Sequence, residues 1–574
     1  MRVRLAFIIV LAATMAGSLL AQTNTGSIGG TVKDATGAVM TGVRIDVTNT
    51  ATGVKRAVQT NEVGLFLASS LPPGTYELTV EKEGFKKFVR SGIKLSVQDA
   101  IELDLVMALG SLSDAIEVKG DVSLLQTATS SLGQVVDNRR IVELPLNGRN
   151  TLALVSLTAG VQPGTGFGGL VAIGNAYTQG NFSVSGAAGY SSSVILDGVP
   201  ADQNLYAAPS VVPSIDAVEE FKVQTNTFSA EFGRTGGGVI NVIMKSGTSQ
   251  FHGGAYEFLR NSVLDANNFF NNANGKEKSV FTYNLFGGTI GGPISIPKVY
   301  SGKDRTFFFA SYEGFRERKS PSNLLTIPSA AQRQGDFSST YDTKGQLINI
   351  YDALTTVVSS SGVPSRTRFP NNVIPSSRFD AVAKKLIQYY PEPNLPGDPV
   401  TGVYNYISGA GITNRSDQVN ARVDHNFSSA NRMFGRYSMN RAVRGSTNLF
   451  GEDNPFGGYN PSGGYVPILI KGQHFVLNDT FTPSPTFMVD LSYGASREWV
   501  AKEPLSSGRP LTDVGFSSAY AAIEQQYYPN ITISNFRGLL ASDMDLIRRG
   551  DYTHSFRATI TKFSGRHAMK FGGE

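Results

Sequence analysis

Residues able to do chemistry are sparse along these 574 amino acids. Cysteine is absent, which removes thiolate nucleophiles, thiolate metal ligands and disulfides but does not by itself fix the compartment. The five histidines, His252, His425, His474, His554 and His567, lack the short fixed spacing of metal ligands. Most fall in segments that alternate like strands, where a histidine lines a lumen or an interface. Gly164-Thr165-Gly166-Phe167-Gly168-Gly169 satisfies a dinucleotide glycine spacing, but Pro163 precedes it and no helical pattern follows, so it reads as a loop. Gly302-Lys303-Asp304 lacks the hydroxyl residue a phosphate loop requires, and no nucleophile elbow is present. The expectation is a chain that is not an enzyme, with no catalytic residue, no metal site and no cofactor.

Composition then sorts the remaining classes. With 62 Gly, 34 Phe and 22 Tyr against 1 Trp, and charged residues at 17%, the chain reads as β-rich. Its length exceeds what one core usually supports, so several structural units are expected. Net charge is +5, yet no Lys/Arg block tracks a phosphate backbone, which excludes nucleic acid as a partner. Residues 1–21 place Arg2 and Arg4 before an apolar run from Leu5 to Ala16 and end Leu19-Leu20-Ala21, a secretory signal peptide pattern. Cleavage after Ala21 would leave Gln22 first, although Leu19 is larger than the small residue preferred there. The run falls short of the ~20 residues a membrane anchor needs. No later apolar stretch reaches spanning length, so any insertion must be by β-strands.

Residues 22–109 alternate as short strands between turns: Ser27 to Val32, Val43 to Asn49, Gly64 to Leu67, Tyr76 to Glu81 and Ile101 to Val106. Asp34-Ala35-Thr36-Gly37 and Leu71-Pro72-Pro73-Gly74 supply the turn chemistry, and the pattern is that of a small β-sandwich. Gly29-Gly30-Thr31-Val32-Lys33-Asp34, Gly64-Leu65-Phe66, Leu71-Pro72-Pro73-Gly74-Thr75-Tyr76 and Glu83-Gly84-Phe85 resemble the carboxypeptidase regulatory-like domain, which is not catalytic. Residues 110–120 read as a linker in which Ala115, Ile116, Glu117 and Val118 form a short extended segment.

Residues 121–247 mix helix and strand. Asp137 opens a short helix, Asn150 caps a second one reaching Leu157, and Ser193 to Leu196 is an apolar strand closed by Asp197-Gly198, a strong hairpin signal in which Asp197 reads as a turn residue. Gly236, Gly237 and Gly238 permit close packing before the strand Val239 to Ile243. The Gly-, Asn- and Ser-rich stretch from Val161 to Ser193 suits polar contacts that can rearrange. In order, Leu144-Pro145-Leu146-Asn147-Gly148-Arg149-Asn150, Leu196-Asp197-Gly198-Val199, Glu219-Glu220-Phe221-Lys222-Val223 and Gly237-Gly238-Val239-Ile240-Asn241-Val242 resemble the plug of TonB-dependent receptors. With a sandwich in front, they are similar to the Oar-like subgroup. That resemblance implies that Leu144, Pro145, Asn147, Gly148, Arg149, Asp197, Gly198, Gly237, Gly238 and Asn241 are plug motif positions. It also implies that Ala115 to Val118 is a TonB box, a segment that adds as a strand to the energy-transducing partner. From the residues alone, any exposed edge strand would look the same.

Residues 248–574 repeat long alternating strands, short turns and long polar loops, the asymmetry of a transmembrane barrel. Val419, Ala421, Val423 and Phe427 share one face while Asn420, Arg422, Asp424 and Asn426 share the other. Arg316 to Arg415 would be an outer loop with a helix at Asp380 to Gln388. A soluble propeller also alternates, but its blades repeat at ~40–50 residues without such loops. The pattern counts about ten strands where the family closes a plugged barrel of ~22, and the final residues lack a terminal aromatic, so a C-terminally truncated chain is expected. The expected fold is mainly β: a small β-sandwich, a mixed α/β plug and a partial antiparallel transmembrane β-barrel. The expected function is outer-membrane uptake of an unidentified siderophore, glycan or peptide, with the TonB protein and outer-membrane lipid as partners. The alternative is a surface binding or adhesion protein without transport.

Overall fold

The computed structural model describes residues 25–111, 115–119, 132–163, 182–204, 208–273, 277–320, 323–457, 466–540, 546–565 and 567–574. The expected leader at 1–21, the glycine run at 164–169 and most of the polar stretch between Val161 and Ser193 lie outside them.

The first unit is built from two facing sheets. One orders β4 (Leu65–Leu71), β1 (Gly26–Asp34) and β7 (Ala100–Met107), with β1 and β7 parallel. The other orders β3 (Lys55–Gln59), β2 (Arg44–Asn49), β5 (Gly74–Glu81), β6 (Lys87–Leu95) and β8 (Ala115–Lys119). Alternation puts Tyr76, Leu78 and Val80 inward on β5, against Ile28, Val32, Ile45, Val47 and Phe66. At Gly30 a Cβ would lie 1.9 Å from the Leu103 carbonyl oxygen, so only glycine lets β1 and β7 pair at this point. Strands β3 and β6 escape the sequence reading because they are charged. Lys55 and Arg56 are tolerable on β3 because, among the described residues, it is an edge strand paired with β2.

The second unit pairs β10 (Val161–Pro163) with β11 (Phe182–Val184) and centres on a five-stranded sheet ordered β13 (Val199–Pro200), β12 (Ser193–Leu196), β15 (Val239–Met244), β14 (Val218–Asn226) and β9 (Leu132–Asp137). Every residue of β15 is buried, as a central strand covered on both faces requires. Gly237 and Gly238 admit its start: a Cβ on either would lie 2.7 Å from a side chain, of Ser192 and Val184 respectively. Asp137 accepts from the Arg140 amide at 3.0 Å and caps the helix Asn138–Glu143, and Asn150 accepts from the Leu152 amide at 3.0 Å. The segment Asn150 caps, Thr151–Leu157, winds as a 3-10 helix. A 3-10 run of seven residues is longer than usual for this tighter form.

The third unit is one antiparallel sheet of nine strands in chain order: β16 (His252–Asn261), β17 (Val280–Pro293), β18 (Thr306–Ser320), β19 (Ile412–Asn426), β20 (Asn431–Ser446), β21 (Ile468–Ser484), β22 (Phe487–Lys502), β23 (Ile547–Ser564) and β24 (His567–Gly573). Strands β16 and β24 are its two edges and do not pair with each other, so the wall is not closed. Connections at one rim are short, as at Ser564 to His567, and those at the other rim are long. The long ones pack into a core of their own, where Phe456 stacks on Tyr528 at 5.5 Å and meets Tyr389 edge-on at 5.1 Å. The loop helix Ala381–Leu386 sits there with Asp380 as its cap.

The faces of this wall are inverted relative to a soluble sheet. Arg422, Asp424, Arg436, Ser438, His474, Asn478, Asp490, Ser492 and Arg557 are buried on the inner face, while Val423, Tyr437, Leu477, Phe481, Leu491 and Phe556 are exposed on the outer. An apolar exterior around a polar interior is what lipid outside and a plug inside demand. The inner face therefore positions the site.

Candidate functional site

The site begins with a two-residue turn. Leu196 and Val199 pair across it, and Asp197 and Gly198 take φ of 48° and 83°. Both positive values fit the right-handed twist of a tight hairpin, which favours Asp-Gly. Inside the plug, the Met244 amide donates to Asp197 Oδ1 at 3.0 Å. The side chain is fully buried.

The wall supplies the counter-charge. Arg436 Nε lies 2.6 Å from Asp197 Oδ2, and an Arg422 Nη lies 3.3 Å from Oδ1. Arg422 also forks onto Asp424 through two contacts of 2.8 Å and stacks its guanidinium 4.1 Å from the Phe434 ring centre. Arg436 Nη2 meets His474 Nδ1 at 2.8 Å, and His474 Nε2 lies 3.3 Å from the Pro200 carbonyl. A guanidinium only donates, so Nδ1 accepts and the proton sits on Nε2, which donates to Pro200. Arg557 donates to the Gly198 carbonyl and, at 2.7 Å, to Ser492. The hairpin tip is thus bound through its carboxylate and its backbone by three wall arginines.

Shape complements charge around this contact. On the inner wall, a Cβ at Gly472 would fall 1.8 Å from the Ser210 carbonyl oxygen, and one at Gly494 would fall 2.0 Å from Val199 Cγ1. Side chains are excluded at both positions because the plug presses there. Ser210 and Ser496 share a hydrogen bond of 2.6 Å, and Arg549 joins plug Gln203 at 2.5 Å to wall Glu498 at 2.7 Å. Arg149 makes a further attachment. It pairs with Asp216 at 2.6 Å and lies 4.5 Å from the Phe258 ring centre and 5.1 Å from that of Tyr256.

On the opposite side the plug meets the sandwich. Glu220 accepts from the Val97 amide, while Lys222 lies 3.8 Å from Asp99. Burial raises the Glu220 carboxyl to about 7, and burial depresses the Lys222 ammonium. Asp202 is likewise pushed up to about 7 by burial, against the lowering effect of its hydrogen bonds from the Ser193 hydroxyl and the Val194 amide.

The residues singled out in the sequence scatter over four places. Asp197, Gly198 and Arg149 meet the wall. Gly237, Gly238 and Asn241 stay inside the plug sheet, with Asn241 wholly buried. Leu144 and Pro145 are exposed just ahead of a 3-10 turn, Asn147–Arg149, whose Gly148 has φ of 74°. Ala115 to Val118 fall within β8, paired in parallel with β6, and Ile116 packs on the sandwich core. Asp197, read from sequence as a turn residue, is also the ion-pair partner of two arginines. Arg436, Arg557 and Gly472 escape the sequence reading, and Arg422 and Gly494 are legible there only as members of an alternating strand. The available signal was arginine on the polar face of alternating strands, where Arg422 already stood.

The model of the outer membrane beta barrel domain matches residues 243–574. The chain belongs to this outer-membrane β-barrel family. It is therefore an outer-membrane protein. The carboxypeptidase regulatory-like domain matches residues 27–108. The chain is similar to the TonB-dependent transporter Oar of Myxococcus xanthus, with 28% identity over 286 residues that make up 46% of this chain and 25% of that protein. Among solved structures it is similar to the siderophore receptor PirA of Acinetobacter baumannii, at 11% identity and a TM-score of 0.39 over 78% of this chain and 48% of that one. It is also similar to the ferric citrate transporter FecA, at 10% identity and a TM-score of 0.34 over 77% and 55% of the two chains. The match thus spans about a quarter of the length of the curated relative.

In this β-barrel protein, two measurements probe the plug's seat. Gly494→Leu should displace the Val199 hairpin while leaving the wall inserted, seen as faster hydrogen exchange at 194–201 with unchanged exchange in β22. Asp202 and Glu220 hold their protons more tightly folded than unfolded, so their stabilisation is complete below about pH 4 and is lost as pH rises towards about 7. The urea midpoint of the plug should fall between pH 4.5 and 8, and Asp202→Asn should flatten that slope.

Proposed function

We propose that this outer-membrane protein is a TonB-dependent receptor that takes up a small ligand of the siderophore, glycan or peptide class, with 22–109 as a periplasmic sandwich, 110–120 as the linker, 121–247 as the plug and 248–574 as barrel wall. The observation that carries the reading is the seat of the hairpin 196–200, a plug element held inside a membrane wall by ion pairs and hydrogen bonds around one small apolar contact, Val199 on Phe434 and Val476. A seat packed mainly by apolar groups would resist water. Ion pairs and hydrogen bonds can instead be exchanged for water once a pull opens the seam, because hydration replaces each lost partner.

Ala115 to Val118 are the proposed handle. Among the described residues they form an edge strand paired with β6, so a partner strand can add to the outer edge, or replace β6, without breaking any other pairing described there. Pull transmitted from β8 along the chain enters the plug sheet at β9, which pairs with β14, which pairs in turn with β15. That route ends beside Asp197, whose carboxylate is tied to the Met244 amide at the end of β15. Leu144, Pro145, Asn147, Gly148, Arg149, Gly237, Gly238 and Asn241 would keep the plug in shape or seated, without touching ligand.

Replacing Glu117 and Val118 with proline removes two ladder donors from the handle. Expected are normal insertion, loss of site-specific photocrosslinking to TonB from position 116, and loss of growth on the limiting nutrient. Growth and uptake that persist unchanged would favour surface binding without transport.

A further inference from the structure

The floor of the wall, the plug and the sandwich together line a pocket of about 210 Å3, open on one side and well above the ~10–15 Å3 that admits one water. Its chemistry is lopsided. Arg56 reaches it from β3 of the sandwich and Arg432 from the first turn-proximal residues of β20, on the inner face. Neither arginine has a carboxylate within ion-pair distance among the described residues. Arg56 finds one neutral partner, the Thr482 hydroxyl. Asp424 also lines the space, but both its oxygens are forked onto Arg422 at 2.8 Å. Glu219 lines it too, and burial biases that carboxyl towards its neutral form.

Two guanidinium groups face one pocket, and the carboxylates that act on Arg432, Asp424 and Asp490, do so from beyond ion-pair distance. Burial, and next the positive charge of Arg432, draw the Arg56 guanidinium down to about 10. Both guanidinium groups are half-buried, so each has lost part of its hydration, and an anion seated between them would supply the missing partner. Guanidinium forks match the oxygen geometry of phosphate and make two hydrogen bonds at once. Asn49, Tyr76 and Thr480 add neutral polar groups around the same space.

We propose that this cavity is a binding site for a phosphate group, gripped from opposite sides by Arg56 of the sandwich and Arg432 of the wall. Because its two charged ligands belong to different units, a bound phosphate clamps the sandwich against the barrel floor. The phosphate is supplied either as the free ion or as the headgroup of an inner-leaflet lipid at the rim, and the two sources are separable.

The full chain in detergent micelles is titrated calorimetrically with inorganic phosphate in one arm and with dihexanoyl phosphatidylglycerol in the other. Saturable 1:1 binding is expected in at least one arm, and the arm names the source. Arg56→Gln and Arg432→Gln should each weaken it about tenfold, the scale of a lost charge-assisted contact. Lys471→Gln, on the outer face, should leave it unchanged. Should Arg432→Gln fail to insert, Arg56→Gln on the sandwich carries the test: the phosphate-dependent rise in melting temperature of the parent chain must disappear. No binding in either arm, or parent-like binding by the variants that insert, would overturn the site.

Discussion

The seat of the plug turns on one buried carboxylate. Asp197 is fully enclosed, and an isolated ionised carboxylate there would cost far more than a domain's net stability. Arg436 and Arg422 make its burial tolerable, and they do so only if the hairpin tip comes within 2.6 Å and 3.3 Å of the wall. This short-range requirement fixes depth and orientation together. Once the tip is in place, Pro200 falls against His474, Gly198 against Arg557 and Val199 over Gly494. The glycines on the wall then follow as a consequence, because a side chain at either 472 or 494 would occupy space the hairpin needs.

A seat made mainly of polar groups is sharply defined when dry and hydratable when opened. Breaking one partner of a buried pair is expensive, about 3–5 kcal/mol, so the closed arrangement is well defined. The same groups regain most of their solvation when water enters, so displacement of the whole hairpin is less costly than the sum of its contacts suggests. On the outer face the opposite choice prevails. Val423, Leu477, Leu491 and Phe556 stay exposed because lipid is their solvent, and the strand period of two keeps these demands apart.

Much of this was legible in the sequence, for local reasons. The hairpin was readable because Asp197-Gly198 is a backbone requirement written in two adjacent residues. The wall was readable because Val419 to Asn426 repeats its alternation at every step. The helix caps at Asp137 and Asp380 were readable because the capping oxygen and the amides it serves are neighbours. Charged strands β3 and β6 were not, since their burial comes from partners along the sheet. The arginine partners of Asp197 were invisible for the same reason: Arg422 stands 225 positions away, and no local pattern says which inward arginine meets which plug residue. The site is thus a product of register across the wall, with Arg422 and Arg436 directly opposite each other on β19 and β20.

The account stands on energetic coupling between the hairpin and the wall. A double-mutant cycle of Asp197→Asn and Arg436→Gln, read as the free energy of plug release in urea from the full chain in micelles, measures that coupling directly. The account predicts an interaction energy of at least ~1 kcal/mol, inside the range of about 0.5–3 kcal/mol typical of touching residues in one network. Strictly additive effects of the two substitutions would contradict it.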